Sequence, residues 1–469
     1  MTQKFYFALV LSITMFLGDS SLAWSQQVDI PIEEQALDAT LDFDMPIDAP
    51  VSESTADLDS STTSASSSTL GKDLRIGLAY QLGNQLGNQL SNQLNDFPEI
   101  VSNRLDSRLR WEHLFFQNYF ISVDGKIILR AWKDQQLDSD KEISAELRMR
   151  ELSLQSGFGP FSIKAGYQTI IWGEMDSAKI NDVMTPWDYS EFAFTAPEDA
   201  RVGQPSILAD WFSGKTRIGA VVTPIPMTNR YPGGEASGLL AFLLGSEQYS
   251  VNEKLPEFGS DYEMGLRIKH NLGPSDLSLY LAQVISDDPL FSLNPASSET
   301  STIFDIRYPR HEIIGFSGNY ASGNFLWKTE AAFKNNLHLP AQTTIIRDTL
   351  EGAIGVDYIA NGAYNLTLEL QNQYIMPGEG TLTGMNTHNS QAMLRWSKNF
   401  FHDTLSTIYF VSYQIQYGDM THSAAMQYAI NDYWRVDLNA TVFVVKNQDS
   451  PSKFVDDWDN ISIRINLDI

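Results

Sequence analysis

The chain contains no cysteine in 469 residues. That excludes a disulfide framework, a thiolate metal site, a cysteine nucleophile and a lipidated N-terminal cysteine. Cations are scarce: 32 Lys and Arg stand against 58 Asp and Glu, a formal charge of −26. Nucleic-acid binding, which needs a basic footprint, is therefore not expected. Beyond the N-terminus no window holds the roughly eighteen uncharged apolar residues that a spanning helix requires. Catalytic signatures are missing too, with no Gly-x-Ser-x-Gly elbow, no His-Glu-x-x-His and no Gly-x-x-x-x-Gly-Lys. His113, His311, His402 and His422 have no Ser or Asp at a telling spacing, so neither an enzyme nor a cofactor is expected. No EF-hand-like Asp spacing with a following Glu appears, and no metal site is expected.

The N-terminus has the parts of a secretory signal. Lys4 supplies the positive charge, Phe5 to Leu17 is apolar, and Ala23-Trp24-Ser25 is a small-x-small cleavage site. Residues 1–25 read as a signal peptide, with the mature chain beginning near Gln26. From Val28 to Leu70 there is no Lys or Arg, and Ser60 to Thr69 is low complexity. Such composition cannot offset its ordering entropy, so 26–71 reads as an acidic disordered tail, on the periplasmic side if the chain is exported to the outer membrane. The repeat from Gln81-Leu82-Gly83-Asn84 through Gln93-Leu94 puts Leu82, Leu86, Leu90 and Leu94 on one helical stripe. Its glycines weaken a helix, and a loop with a helical turn fits equally.

Residues 72–469 alternate. In the last nine, Ile461, Ile463, Ile465, Leu467 and Ile469 share one face, and Ser462, Arg464, Asn466 and Asp468 share the other. Leu105, Leu109 and Trp111 oppose Arg104, Arg108, Arg110 and Glu112, while Tyr364, Leu366, Leu368 and Leu370 oppose Thr367, Glu369 and Gln371. Period-two alternation marks strands with one apolar face. An apolar terminal edge would aggregate in water, whereas barrel closure removes the edge and a bilayer accepts the apolar face. Aromatic residues make up 12% of the chain, enough for interfacial girdles.

Short turns at 156–159, 212–215, 272–276, 321–324, 360–362, 399–403 and 430–432 alternate with long polar loops near 173–203, 225–260, 286–310, 335–348 and 376–387. This is the bacterial outer-membrane pattern. The expected fold is all-β, a transmembrane antiparallel up-and-down barrel of about 16–18 strands, the even count being the rule for such barrels. Its first strand is placed at Asp73–Tyr80. Val123-Asp124-Gly125-Lys126 fits either a hairpin turn or a bulged mid-strand kink.

A barrel this wide leaves an aqueous lumen. The lumen phase carries Arg104, Arg108, Arg110, Arg130, Arg148, Arg150, Lys164, Arg217, Arg267, Lys269, Lys328, Arg395, Arg435 and Arg464. Fewer carboxylates share it: Asp106, Glu112, Glu146, Glu263, Glu330, Glu369 and Asp437. Rings of Arg or Lys favour anions in a pore, while cross-strand pairing of the same charges is the plainer alternative. Loop 173–203 holds Glu174, Asp176, Asp182, Asp188, Glu191, Glu198 and Asp199. Folded inward, these acids would face the arginine wall and form a constriction with a transverse field.

The same loop carries Trp172-Gly173-Glu174, Asn181-Asp182, Pro186-Trp187-Asp188 and Glu198-Asp199-Ala200-Arg201. This succession resembles porin-like outer-membrane proteins of Gram-negative bacteria, some encoded beside RND-type exporters, and is loosely similar to the arginine-rich alginate-export barrels. The resemblance implies a porin-like channel for small solutes, embedded in outer-membrane lipid. Two further readings are an export or uptake route for a polysaccharide or hydrophobic compound with a periplasmic exporter partner, and a plugged structural barrel. Such barrels usually end in Phe or Trp, where this chain has Ile469.

Overall fold

The structure, a computed structural model, describes residues 74–85, 99–116, 118–131, 134, 142–190, 200–231, 234–244, 249–297, 302–339, 345–360, 364–380, 382, 385–447, 450–456 and 458–469. The segments read as signal peptide and acidic tail, and most of the tetrapeptide repeat, lie outside these residues.

Eighteen strands make the wall. They begin with β1 (Leu74–Gln85), β2 (Glu99–Phe115), β3 (Tyr119–Ala131), β4 (Ile143–Phe158), β5 (Phe161–Gln168), β6 (Gln204–Ser213) and β7 (Thr216–Thr223). A helix, α1 (Ala236–Leu244), and a short strand, β8 (Tyr249–Lys254), precede β9 (Glu263–Asn271) and β10 (Ser275–Ile285). Two more short strands, β11 (Leu290–Leu293) and β12 (Thr302–Arg307), precede β13 (Arg310–Ser322), β14 (Phe325–Leu339), β15 (Ile345–Ala360) and β16 (Tyr364–Ile375). The wall ends with β17 (His388–Phe400), β18 (Leu405–Gln414), β19 (Asp419–Ala429), β20 (Trp434–Val444) and β21 (Asn460–Asp468).

Each wall strand pairs antiparallel with the next one along the chain, β7 with β9 and β10 with β13 included. The last pairs with the first, Gly77 opposite Asp468 and Gln85 opposite Asn460. Ile469 completes that seam: its N–H donates to the Ile76 carbonyl at 2.9 Å, and its carbonyl accepts the Ile76 N–H at 3.0 Å. The result is a closed 18-stranded barrel in which the first and last strands pair with each other, so no strand is left as a sheet edge over its whole length.

The pleat sorts the side chains. Outside are large apolar residues such as Leu147 (69% exposed) and Ile354 (62%), while polar partners such as Arg148 and Glu351 are buried within. At the short-turn end many of the exposed side chains are aromatic, among them Phe116, Tyr119, Phe158, Phe161, Tyr320, Phe325, Trp327, Tyr364, Tyr433 and Trp434. An apolar band with an aromatic girdle is the surface a bilayer requires.

Several local expectations change. The repeat does not start a helix, because Gln81–Gln85 continue β1 as a strand; pairing with β2 and β21 on both sides overrides the four-residue period. Val123–Lys126 stays inside β3, and the register slips between Asp124 and Gly125 against β4, skipping Arg150. That bulge turns two consecutive residues of β4, Arg150 and Glu151, toward the lumen, and Leu152 and Leu154 then face outward. The segment 335–348 is mostly strand, since β14 runs to Leu339 and β15 begins at Ile345.

The long loops also carry structure of their own. Within 225–310, β12 pairs in parallel with β8 and antiparallel with β11. This small sheet packs with α1 around Phe291, Phe304, Ile306, Leu239 and Leu240, and the cluster extends to Trp187, Tyr189 and Tyr231. It forms a cap at the long-loop end, joined through Trp187 and Tyr189 to the loop that follows β5.

Candidate functional site

The loop between β5 and β6 leaves the wall, crosses the lumen and returns. Its neck is held by Thr185, whose hydroxyl accepts the Ile170 N–H at 2.8 Å and donates to the Ile170 carbonyl at 2.7 Å. Its tip reaches the opposite wall. Glu330 of β14 accepts the backbone N–H groups of Glu174 and, at 2.8 Å, Met175; it also accepts the side-chain amide of Asn181 at 2.9 Å. Glu369 of β16 accepts the N–H groups of Asp176 and Ser177, each at 2.9 Å. Counting β6, β7, β9, β10, β13, β14, β15 and β16 from β5, that contact lies eight strands around an eighteen-strand ring, nearly diametrically across.

Local sequence allows so close an approach. Gly173 turns at φ +103°, a conformation that L side chains rarely adopt. At Gly315 a Cβ would stand 1.9 Å from Asn181 Oδ1, so only glycine leaves room for the loop against β13.

The predicted wall cations are all described, and most are paired. Asp106 lies 3.5 Å from Arg104, 3.9 Å from Lys126 and 3.1 Å from Arg464. Glu146 takes Arg130 at 3.1 Å and Arg148 at 2.7 Å. Lys164 pairs with Glu151 at 2.7 Å, Arg217 with Asp210 at 2.8 Å, Lys269 with Asp276 at 3.4 Å and Arg435 with Asp437 at 3.0 Å. Lys328 is shared by Asp176 (3.0 Å), Asp357 (3.1 Å) and Glu369 (3.2 Å). Arg267 stands between Gly219 and Tyr280 in register, and Arg395 between Thr367 and Phe410.

The charge is least balanced on β2 to β4. Arg108, Arg110 and Arg150 converge on the one carboxylate of Asp124, at 2.6, 3.7 and 3.6 Å. The side chains of Arg110 and Arg150 keep about a third of their surface open, 31% and 35%.

The loop acids do not gather as a row against this arginine wall. Among the described loop acids, only Asp188 reaches it, 2.9 Å from Arg148. Glu174 accepts from Asn319 of β13 at 2.8 Å, Asp176 holds Lys328 of β14, and Asp182 pairs with Arg201 at the returning end of the same loop. The loop is too long to present one face, and its tip lies on the far wall. Glu191, Glu198 and Asp199 fall outside the described residues.

Alternation alone missed Asp124, Glu151, Asp210, Glu351 and Asp357 as wall carboxylates. For Glu151 the cause is the bulge on β4, which strict alternation does not anticipate; Asp124 keeps the phase of Lys126 and Arg130 along β3, in the segment that also fitted a turn. Lys179 also went unnoticed. It lies over the rings of Trp187 (4.5 Å) and Tyr189 (4.8 Å) and donates to the Tyr189 hydroxyl. Burial, only partly offset by Asp288, pulls its ammonium down to about 8.

No curated protein matches the sequence. Among solved structures the chain is similar to OccAB3 of Acinetobacter baumannii, with 7% identity, a TM-score of 0.47, and 84% of this chain and 98% of that one covered. The outer membrane protein OpdK of Pseudomonas aeruginosa gives 9%, 0.48, 84% and 98%, and OccK9 of Pseudomonas aeruginosa gives 10%, 0.49, 84% and 97%. The model of one protein family matches residues 8–357, about three quarters of the sequence, and the chain therefore belongs to that family, described as a protein of unknown function (DUF1302).

Proposed function

We propose that the protein is an outer-membrane channel for passive diffusion of small solutes, with a preference for anions. The carrying observation is the loop that crosses a closed, polar lumen and is fixed to the far wall by Glu330 and Glu369. A loop held there narrows an open barrel to a sized passage, which is what a diffusion channel needs to discriminate solutes. The apolar outer face and aromatic girdle suit a bilayer, and Lys4, Phe5–Leu17 and Ala23-Trp24-Ser25 provide a route for export. Three guanidinium groups on one carboxylate at Asp124 leave local positive charge beside the passage, which supports anion preference.

The test is conductance of the full chain in planar bilayers. Ohmic unitary steps, with a reversal potential displaced toward chloride under a KCl gradient, are expected. Absence of current would overturn the channel, and displacement toward potassium would overturn only the anion preference.

A further inference from the structure

A cavity of about 320 Å³ lies between the crossing loop, the cap and the inner faces of β14 to β18. Its size is that of a small-molecule site, for which about 300–1,000 Å³ is usual. Its chemistry differs from that of the β2–β4 wall. Most of the lining charges are paired: Lys334 with Glu351 at 2.6 Å and Asp182 with Arg201, while Lys179 lies beside two carboxylates, Asp287 and Asp288.

The polar side of the cavity is made of carboxamides. Gln371, Gln391 and Gln414 are register neighbours on β16, β17 and β18, and one rung along Gln373 faces Asn389. The rungs are cross-linked. Gln371 donates to Gln391, Asn389 donates to Gln373 at 3.1 Å, Gln373 donates to Glu351 at 3.0 Å, and Gln416 accepts the Ser390 N–H at 2.7 Å. A carboxamide offers two donors and two lone pairs. Bonds within the ladder fix the planes of these amides where they line the cavity. Apolar side chains line it as well: Ile180 and Val183 of the crossing loop, Ile285 and Leu290 toward the cap, and Leu337 and Leu339 of β14.

Oriented neutral amides beside apolar side chains match a solute that both donates and accepts hydrogen bonds, carries no charge and has one C–H face. We propose that this cavity binds an uncharged polyhydroxylated solute, a sugar or glycoside, with its hydroxyls on the amide rungs and its C–H face on the apolar side chains. The proposal rests on the channel reading for its route of entry but not for its binding assay.

Maltose is the probe and gluconate the charged comparator. In planar bilayers, maltose reduces the open-channel current saturably, and gluconate does so more weakly. In the variant Q371L/Q391L the apparent affinity for maltose falls about tenfold, the order expected for one or two lost hydrogen bonds, while unitary KCl conductance is kept. Equilibrium dialysis of maltose against the detergent-solubilised full chain reads binding whether or not current flows. Q414L, at the end of the rung, gives a second and milder loss should the double variant fail to fold. Dialysis without saturable maltose binding, tighter binding of gluconate, or equal binding by folded variants would overturn the proposal. A chain that binds maltose but passes no current would overturn the channel reading alone.

Discussion

Glu369 of β16 accepts the backbone N–H of Ser177 at 2.9 Å, joining a wall strand to a loop that leaves the barrel eight strands away. Both partners are buried. The bond is one of a set in which two wall carboxylates, Glu330 and Glu369, take main-chain donors of a segment with no regular structure of its own. A backbone donor inside a barrel must find an acceptor, and here the wall supplies it, so the loop's position is fixed by the wall as much as by its own sequence.

Removing the acceptors therefore frees the loop. In E330A/E369A the N–H groups of Met175, Asp176 and Ser177 lose their partners, at about 1–3 kcal/mol for each donor left buried and unsatisfied. The cheaper outcome is detachment of the tip into water. Single-channel recording should show a larger unitary conductance and a noisier open state. E330Q/E369Q, which keeps a carbonyl acceptor at each site, should lie between wild type and the alanine variant. An alanine variant with unchanged conductance would contradict a passage sized by this loop.

Charge selectivity is expected to follow Asp124 and its three arginines. R110E/R150E reverses the local sign, and its reversal potential in a KCl gradient should move toward potassium; D124N should move it toward chloride. The Debye length falls from about 10 Å at 0.1 M salt to about 3 Å at 1 M. Both displacements should therefore shrink as salt is raised. Displacements independent of salt would point to altered pore shape instead of charge.

The barrel was readable because a bilayer-facing strand advertises itself: Ile461, Ile463 and Ile465 can alternate with Ser462, Arg464 and Asn466 only if one side is apolar and the other wet. The closing seam at Ile469 is backbone pairing, which works with isoleucine as well as with an aromatic. The site was legible only in part. Arg108 and Arg110 sit where alternation puts them, but Glu151 does not, because one skipped residue at Arg150 inverts the strand beyond it. The crossing loop announced its acids and not their partners, since Glu330 and Glu369 are more than 150 residues away in sequence. The cap eluded periodicity because β8, β11 and β12 are only four to six residues long.

Membrane insertion can be tested on the outer face of β15. Ile354 is 62% exposed and lies between the inward Ala353 and Gly355 near mid-strand. An arginine facing hydrocarbon costs about 2–4 kcal/mol at the bilayer midplane, so I354R should lower the folded fraction in lipid vesicles, read by heat-modifiable migration on gels. I354L should be neutral. Equal folding of I354R and wild type would place this face in water.

Lys179 gives the barrel a stability that changes with pH above neutrality. Its ammonium is half-buried over Trp187 and Tyr189, with Arg201 also near, and burial outweighs the attraction of Asp288, Asp182 and Asp287. Folding lowers its pKa from 10.5 to about 8. Below pH 8 the group is charged in both states, and the folded protein carries the full desolvation cost. Between 8 and 10.5 the folded state releases the proton first and so binds fewer protons than the unfolded state, which makes stability rise with pH. Above 10.5 the contribution is flat. In K179M the neutral side chain has no such cost at any pH. The stability difference, K179M minus wild type, should accordingly fall as pH rises from 8 to 10.5, with titrating groups remote from Lys179 cancelling between the two proteins. Urea unfolding of both chains in vesicles across that range measures it, and a difference that stays constant or grows would show that the ammonium is not desolvated in the folded barrel.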